Sequence, residues 1–129
     1  MEYLIDTVTL VRHLTQKGYL PEKVKNIFER ANQGECTFLI SCISLMEILY
    51  LGEKFRIETT VAHTIHEIKK SKIYKIVDLS AEIILTAQTV EFYELHDRMI
   101  LATAKYLEIP VISPDVKFKN LKDIEIIWE

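Results

Sequence analysis

The sequence predicts an α/β fold, a three-layer sandwich in which a central, mainly parallel sheet of four to five strands is flanked by helices. Short apolar runs typical of buried strands alternate along the chain with longer segments of helical periodicity. Strands that are separated by helices usually pair in parallel, with the helices packed on the faces of the sheet. The composition also fits a folded domain, since 49% of the residues are hydrophobic and only three are glycine and three proline.

The first half of the chain contains two predicted strands and two predicted helices. EYLI and CTFLIS are apolar enough to be buried strands. The helix after the first strand is predicted to end at Gly18, because glycine is common just past helix ends. The next helix has Pro21 in its first turn and ends at Gly34. In order, these elements are a strand at 2–5, helices at 7–18 and 20–34, and a strand at 36–41.

The second half of the chain continues the alternation. Ser44 and Ser80 are predicted to cap two helices, because a serine hydroxyl accepts a hydrogen bond from a free backbone N–H at a helix start. A polar, amphipathic helix precedes the strand YKIVDL, and a helix beginning LHDR precedes the strand PVIS. In order, these elements are helices at 45–55 and 57–72, a strand at 74–79, helices at 81–94 and 95–108, and strands at 110–113 and 124–128.

Length, charge and cysteine content limit the classes of function. At 129 residues the chain is expected to form a single domain, residues 1–129. The formal net charge of −3 argues against a protein that coats nucleic acid through a basic surface. Cys36 and Cys42 lack the CxxC spacing of a zinc or redox site. No long apolar stretch follows the N-terminus, so we expect a cytoplasmic protein with no membrane partner.

Four acidic residues map to one edge of the predicted sheet. Asp6 directly follows the first strand, and Asp115 follows PVIS with one intervening proline. Glu47 and Asp97 lie near the starts of their helices. In a parallel sheet the carboxyl ends of the strands and the N-termini of the following helices share an edge, where ligands bind. We therefore expect these four carboxylates to lie close together.

Two of these carboxylates are surrounded by apolar residues in the sequence. The positions three, four and seven after Asp97 are apolar, and Glu47 is embedded in SLMEILYL. Charged side chains are rarely buried without partners. A hard divalent cation such as Mg²⁺ or Mn²⁺ would supply the missing partner, since such ions prefer oxygen ligands. The alternative for each acid taken alone is a helix cap or an ion pair with a distant base.

Four segments resemble, in order and spacing, those of the PIN-domain nucleases: YLIDTVTLV, ISCISLMEIL, ELHDRMILATA and PVISPDVKF. Within that family the chain is most similar to toxins of the virulence-associated protein C (VapC) type, and the resemblance spans essentially the whole chain. Its most specific segment is LHDRMILATAKYLEIPVISPDVKF, in which an Asp-led helix is followed by a short strand and a second Asp. Position by position, the resemblance implies that the catalytic, metal-binding acids are Asp6, Glu47, Asp97 and Asp115.

The resemblance implies a metal-dependent endoribonuclease that is the toxin of a type II toxin–antitoxin pair. One or two Mg²⁺ or Mn²⁺ ions would lie between the carboxylates and activate the attacking water, so no nucleophilic side chain would be needed. It also implies three partners: an RNA substrate, a small cognate antitoxin whose segment fills the groove, and a second copy of the chain in a homodimer.

Several residues beside the four acids are predicted to support them or to bind substrate. Relatives often carry a polar residue two positions after the first Asp, where this chain has Val8; losing such support can lower metal affinity or activity about 10–100-fold. Thr7 and Thr9 are the candidates to replace it. Ser113 is expected either to hydrogen-bond a metal ligand or to be satisfied by the backbone. Arg12 is the first candidate to hold an RNA phosphate.

Two other functions share part of this sequence pattern with the nuclease. A haloacid-dehalogenase-like phosphatase also begins with an Asp after its first strand, but its second catalytic Asp would stand where this chain has Val8. The alternative that stays open is a PIN-fold binding or interaction module with weak or lost nuclease activity. The intact set of four acids favours the enzyme over that module.

Overall fold

A computed structural model describes all residues, Met1–Glu129, and contains a five-stranded, all-parallel sheet with six α-helices. The strands are β1 (Glu2–Ile5), β2 (Thr37–Ser41), β3 (Tyr74–Val77), β4 (Val111–Ile112) and β5 (Ile126–Ile127). The helices are α1 (Thr7–Thr15), α2 (Glu22–Asn32), α3 (Cys42–Glu53), α4 (Val61–Lys70), α5 (Ala81–Ala87) and α6 (Leu95–Leu107). A 3₁₀ turn, Val116–Phe118, lies between β4 and β5. The predicted α/β class with a central parallel sheet is confirmed.

The strand order, β3-β2-β1-β4-β5, places β1 at the centre of the sheet. On one side Leu4 of β1 is in register with Leu39 of β2, and on the other it is in register with Val111 of β4. Because all strands run the same way, the ends of β1, β2 and β4 that lead into the next elements meet at one edge. The order also switches direction beside β1, which is where ligands bind in open α/β sheets.

Two apolar cores cover the two faces of the sheet. Consecutive residues of β1 alternate between them, so Leu4 packs in one core and Ile5 in the other, and both are fully buried. Helices α1, α2 and α4 pack into the core that contains Ile5, and helices α5 and α6 pack into the core that contains Leu4. This explains why the central strand is apolar at every position from Tyr3 onward. None of the six helices combines the length and apolar character that crossing a membrane would require.

Several predicted helix boundaries are wrong: α2 ends at Asn32 instead of Gly34, and α4 runs over Val61–Lys70 instead of 57–72. α3 begins at Cys42 directly after β2, and its N-cap is Ser41, whose Oγ accepts from the backbone N–H of Ile43 (3.0 Å), so Ser44 lies inside the helix instead of capping it. α1 ends at Thr15, before Gly18. The predicted Ser80 cap of α5 is confirmed.

The predicted end of α5 is also wrong, since this helix ends at Ala87 and does not continue to position 94. Arg98 of α6 donates from Nε to the carbonyl oxygen of Ala87 at 2.8 Å, and Lys105 donates from Nζ to that of Thr89 at 3.3 Å. These side chains satisfy carbonyl groups that a longer α5 would have used internally. Both cations are thereby directed toward the end of α5.

Candidate active site

An open cleft of about 490 Å³ lies at the carboxyl edge of the sheet and brings all four predicted acids together. Each acid comes from a different part of the chain, namely the ends of β1 and β4 and the helices α3 and α6. The cleft is lined by Asp6, Thr7, Val8, Arg12, Glu47, Asp97, Ile100, Pro114 and Asp115. The expectation that the four carboxylates share one edge of the sheet therefore matches the geometry of this cleft.

Asp6 is held by hydrogen bonds to both carboxylate oxygens. It is the N-cap of α1, and its Oδ1 accepts from the backbone N–H of Thr9 at 2.9 Å. Its Oδ2 accepts from the Ser113 hydroxyl at 2.5 Å. The side chain is only 7% exposed. Its position is therefore set by two elements at once, the first turn of α1 and the residue after β4.

Ser113 connects two of the acids. Its hydroxyl donates to Asp6, and the same oxygen accepts from the backbone N–H of Asp115 at 3.1 Å. Asp115 in turn caps the 3₁₀ turn, where its Oδ1 accepts from the backbone N–H of Lys117 at 2.9 Å. Ser113 thus bonds both to the side chain of one acid and to the backbone of another.

Glu47 lies in the second turn of α3 and is positioned by Thr7. The Thr7 hydroxyl donates to Glu47 Oε1 at 2.6 Å, and Thr7 Oγ1 also lies 2.9 Å from Ser44 Oγ. A threonine hydroxyl has one proton to donate. Because Thr7 donates it to the Glu47 carboxylate, the Ser44 hydroxyl is the donor in the contact between Ser44 and Thr7. Ser44 and Thr7 are both buried, which fixes the chain of hydroxyls that orients Glu47.

Asp97 lies in the first turn of α6, and its backbone is fixed by Glu94. Glu94 is the N-cap of α6, and its Oε2 accepts from the backbone N–H of Asp97 at 2.6 Å. The roles of Glu94 and of the Ser44 hydroxyl were not predicted from the sequence. The signal for Glu94 was its position three residues before Asp97, the spacing of an N-cap to the third helical residue.

Burial and mutual repulsion raise the pKa of three of the four carboxyl groups. Burial is the main cause for Asp6, and the hydrogen bonds from Ser113 and Thr9 oppose this rise in pKa. Burial also raises the pKa of Glu47, against the hydrogen bond from Thr7. The pKa of Asp97 rises to about 6, first because of burial and then because of the charges of Glu94, Glu47 and the other acids. Such a cluster favours the binding of either protons or a cation.

Val8 and Thr9, both in the first helical turn after Asp6, differ in exposure and in contacts. Val8 is 45% exposed and lines the cleft with an apolar surface. Thr9 is fully buried and holds Asp6 through its backbone N–H, while its hydroxyl donates to the carbonyl oxygen of Ile112 at 3.3 Å.

Arg12 is the only basic residue that lines the cleft. Its Nη1 donates to the carbonyl oxygen of Tyr19 at 3.0 Å, and its guanidinium carbon lies 5.9 Å from the centre of the Trp128 ring. Gly18 is tightly packed against this side chain, since a Cβ there would lie 2.9 Å from Cγ of Arg12. The Arg12 side chain is thus held by the loop that follows α1 and by Trp128 near the end of the chain.

The donor set fits a hard divalent cation by its chemistry. The four acids offer only carboxylate oxygens, the ligands that Mg²⁺ and Mn²⁺ prefer, and burial raises the pKa of three of them. No three of the acids converge closely enough to enclose an ion as the side chains stand. Mg²⁺ usually keeps several waters and binds through one or two carboxylates, so a pair of these acids suffices for it.

Comparison with known proteins identifies the family. The model of the PIN domain matches residues 3–124 of the chain. The chain belongs to the PIN domain family. The resemblance drawn from the four sequence segments is therefore confirmed, and the PIN domain provides the fold in which the acidic cleft lies. No curated protein sequence matches the chain.

Solved structures of VapBC proteins have the same fold as this PIN domain. The structure of VapBC2 from Rickettsia felis bound to a promoter DNA fragment is matched over 100% of both chains, with a TM-score of 0.74 and 19% identity. DNA-bound VapBC from Salmonella typhimurium is matched over 98% of this chain and 97% of that one, with a TM-score of 0.69 and 16% identity. A toxin–antitoxin complex from Klebsiella pneumoniae is matched over 97% and 95%, with a TM-score of 0.66 and 22% identity. At these identities the likeness concerns the fold.

Proposed function

We propose that this PIN domain, residues 1–129, is a metal-dependent endoribonuclease that hydrolyses RNA phosphodiester bonds. The observation that carries the proposal is the cleft in which four separate elements present a carboxylate each, with a single arginine as the only base. Four acids in one partly buried cleft destabilise the metal-free fold, because their charges repel one another and lose hydration. Such an arrangement is typical of a site that is used for binding cations.

The four acids are the proposed ligands, and the protein's other residues position them. Asp6 is oriented by Ser113 and Thr9, and Glu47 by Thr7. A bound Mg²⁺ or Mn²⁺ would lower the pKa of a water molecule and offset negative charge on the phosphate. Asp97 and Asp115 complete the acidic wall, while Arg12 offers the cleft's one positive side chain to an RNA phosphate.

We further propose that the chain is the toxin of a type II toxin–antitoxin pair, with a small cognate antitoxin and a homodimeric assembly. The support is the full-length likeness to VapBC structures and to a toxin–antitoxin complex. An antitoxin that inserts a basic side chain among four carboxylates would both neutralise the cleft and exclude RNA from it.

The proposal is tested by cleavage of RNA. Purified protein, free of any antitoxin, is incubated with structured RNA in Mg²⁺ or Mn²⁺, beside an Asp97→Asn variant and a sample in EDTA. We expect cleavage that requires the metal and is lost in the variant. Glu35→Gln, at an exposed acid next to the opposite edge of the sheet, is a matched control and should cleave like the wild type.

A binding module without activity is the second candidate function. Two observations favour it: the apolar surface of Val8 in the cleft wall, and the absence of three convergent acids. A folded protein that binds Mn²⁺ and yet cleaves no RNA would support the module and overturn the nuclease.

A further inference from the structure

An apolar pocket adjoins the acidic cleft and shares Glu47 with it. The pocket has a volume of about 490 Å³ and is lined by Met46, Glu47, Tyr50, Leu51 and His96, of which three are hydrophobic. We propose that this pocket binds a nucleobase of the RNA strand, next to the phosphate held in the acidic cleft. The inference rests on the proposed function, because it assigns a second part of the same substrate to a second part of the same surface.

The pocket arises because α3 is apolar around almost its whole circumference. Ile48 faces the core and is fully buried, whereas Met46 is 44% and Tyr50 is 51% exposed. Met46 and Tyr50 are four residues apart, so their side chains lie one above the other on one side of the helix. Together with the imidazole of His96 at the start of α6, they form a surface of thioether and aromatic groups. Nucleobases stack on such surfaces with little dependence on their identity.

The charges around the pocket match a nucleotide. Lys54 Nζ lies 5.7 Å, and the guanidinium carbon of Arg56 6.0 Å, from the centre of the Tyr50 ring. Both side chains are exposed, and neither forms a salt bridge. A nucleotide offers an apolar face to the pocket and a negative phosphate to the two cations, whereas a purely apolar protein segment would leave both positive charges uncompensated.

Continuity with the acidic cleft supports the same occupant. The carboxylates of the cleft repel a phosphate until a cation is bound, so RNA needs contacts outside the cleft to stay on the protein. Arg12 supplies one such contact at the α1 wall, and the pocket with Lys54 and Arg56 supplies another beyond Glu47. A strand that crosses the cleft can thereby be held on both sides of the reacting phosphate.

The experiment measures RNA binding separately from cleavage. Binding of a fluorescein-labelled, single-stranded RNA of mixed sequence is followed by anisotropy in Mg²⁺, with Asp97→Asn as the parent so that the RNA stays intact. We expect Tyr50→Ala to raise the Kd at least about fivefold, the loss of one stacked base. Tyr50→Phe should bind like the parent, because the ring is retained. Tyr106→Ala, which removes a similarly exposed tyrosine near the other end of α6, is the control and should also bind like the parent.

An abasic scan of the same RNA identifies the bound base. One abasic position should weaken binding to the parent as much as Tyr50→Ala does. Tyr50→Ala should bind the RNA with that abasic position as tightly as it binds the intact RNA.

Equal Kd values for the parent and Tyr50→Ala would overturn the inference, and metal-dependent cleavage by the wild type would then leave the proposed function standing. Light scattering compares the oligomeric states of the wild type and Tyr50→Ala. If the wild type is a dimer, Tyr50→Ala is a monomer and no abasic position changes the Kd, the pocket is a protein interface and the inference fails. A parent that binds no RNA would overturn the pocket, and metal-dependent cleavage by the wild type would again decide the proposed function separately.

Discussion

The raised pKa of Asp97 predicts that Asp97→Asn stabilises the metal-free protein at neutral pH. In the folded protein this pKa is about 6, against 3.8 for an ordinary Asp side chain. The folded state therefore binds the proton more tightly than the unfolded state. The resulting stabilisation is complete below pH 3.8 and is lost as the pH rises through about 6. At pH 7 the ionised Asp97 is a net cost to folding.

The size of this cost follows from the difference between the two pKa values. A difference of about 2.2 pH units at about 1.4 kcal/mol per unit gives ~3 kcal/mol. The side chain is only half-buried, so solvent screening reduces the figure to about 1.5 kcal/mol. For a chain of this length that is a rise in Tm of about 4–8 °C for Asp97→Asn at pH 7.

The assay is thermal unfolding in EDTA at pH 7 and at pH 4, followed by circular dichroism. The variant should melt above the wild type at pH 7, and most of the difference should disappear at pH 4, where the wild-type carboxyl is largely protonated. Glu35→Gln is the control for removal of an exposed acid and should change little at either pH. A variant that melts at or below the wild-type temperature at pH 7 would refute the reasoning, since the ionised Asp97 would then not destabilise the folded state.

Three further outcomes follow from the same geometry. Mg²⁺ or Mn²⁺ at a hundred times its Kd should stabilise the wild type by about 2.7 kcal/mol but stabilise Asp97→Asn less; equal shifts in the melts would argue against the site. Ser113→Ala leaves a buried Asp6 oxygen without its donor and should cost about 1–3 kcal/mol in urea unfolding; a change under about 0.5 kcal/mol would contradict the bond. Thr7→Val removes the donor to Glu47 and should weaken Mn²⁺ binding about 10–100-fold in calorimetry, and Thr7→Ser should restore it.

The sequence predicted the acidic edge well because that prediction needs little precision. Asp6 and Asp115 follow apolar strands, and any parallel arrangement of those strands brings their carboxyl ends to one edge. Glu47 and Asp97 needed only a helix that starts near them. An error of three residues in the start of α3 left Glu47 in the cleft, since a helical turn still points it to the same edge.

The hydrogen bonds between the acids and their supports could not be predicted in the same way. The bond from Ser113 to Asp6 joins residues 107 positions apart, and it forms because β1 pairs with β4. The strand order that makes them neighbours is not contained in the order of the elements along the chain. Ser44 shows the same dependence: only when the helix begins at Cys42 does its hydroxyl face Thr7.

These contacts change the meaning of Val8. A polar residue at that position would be needed if Asp6 had no other donor, but Asp6 already accepts from the backbone N–H of Thr9 and from the hydroxyl of Ser113. A carboxylate held on both oxygens has its orientation set by the backbone and by a buried serine. Val8 is instead half-exposed on the cleft wall, where it meets whatever enters the cleft. Its effect therefore falls on the apolar surface of the cleft wall, and the positioning of the first acid is left intact.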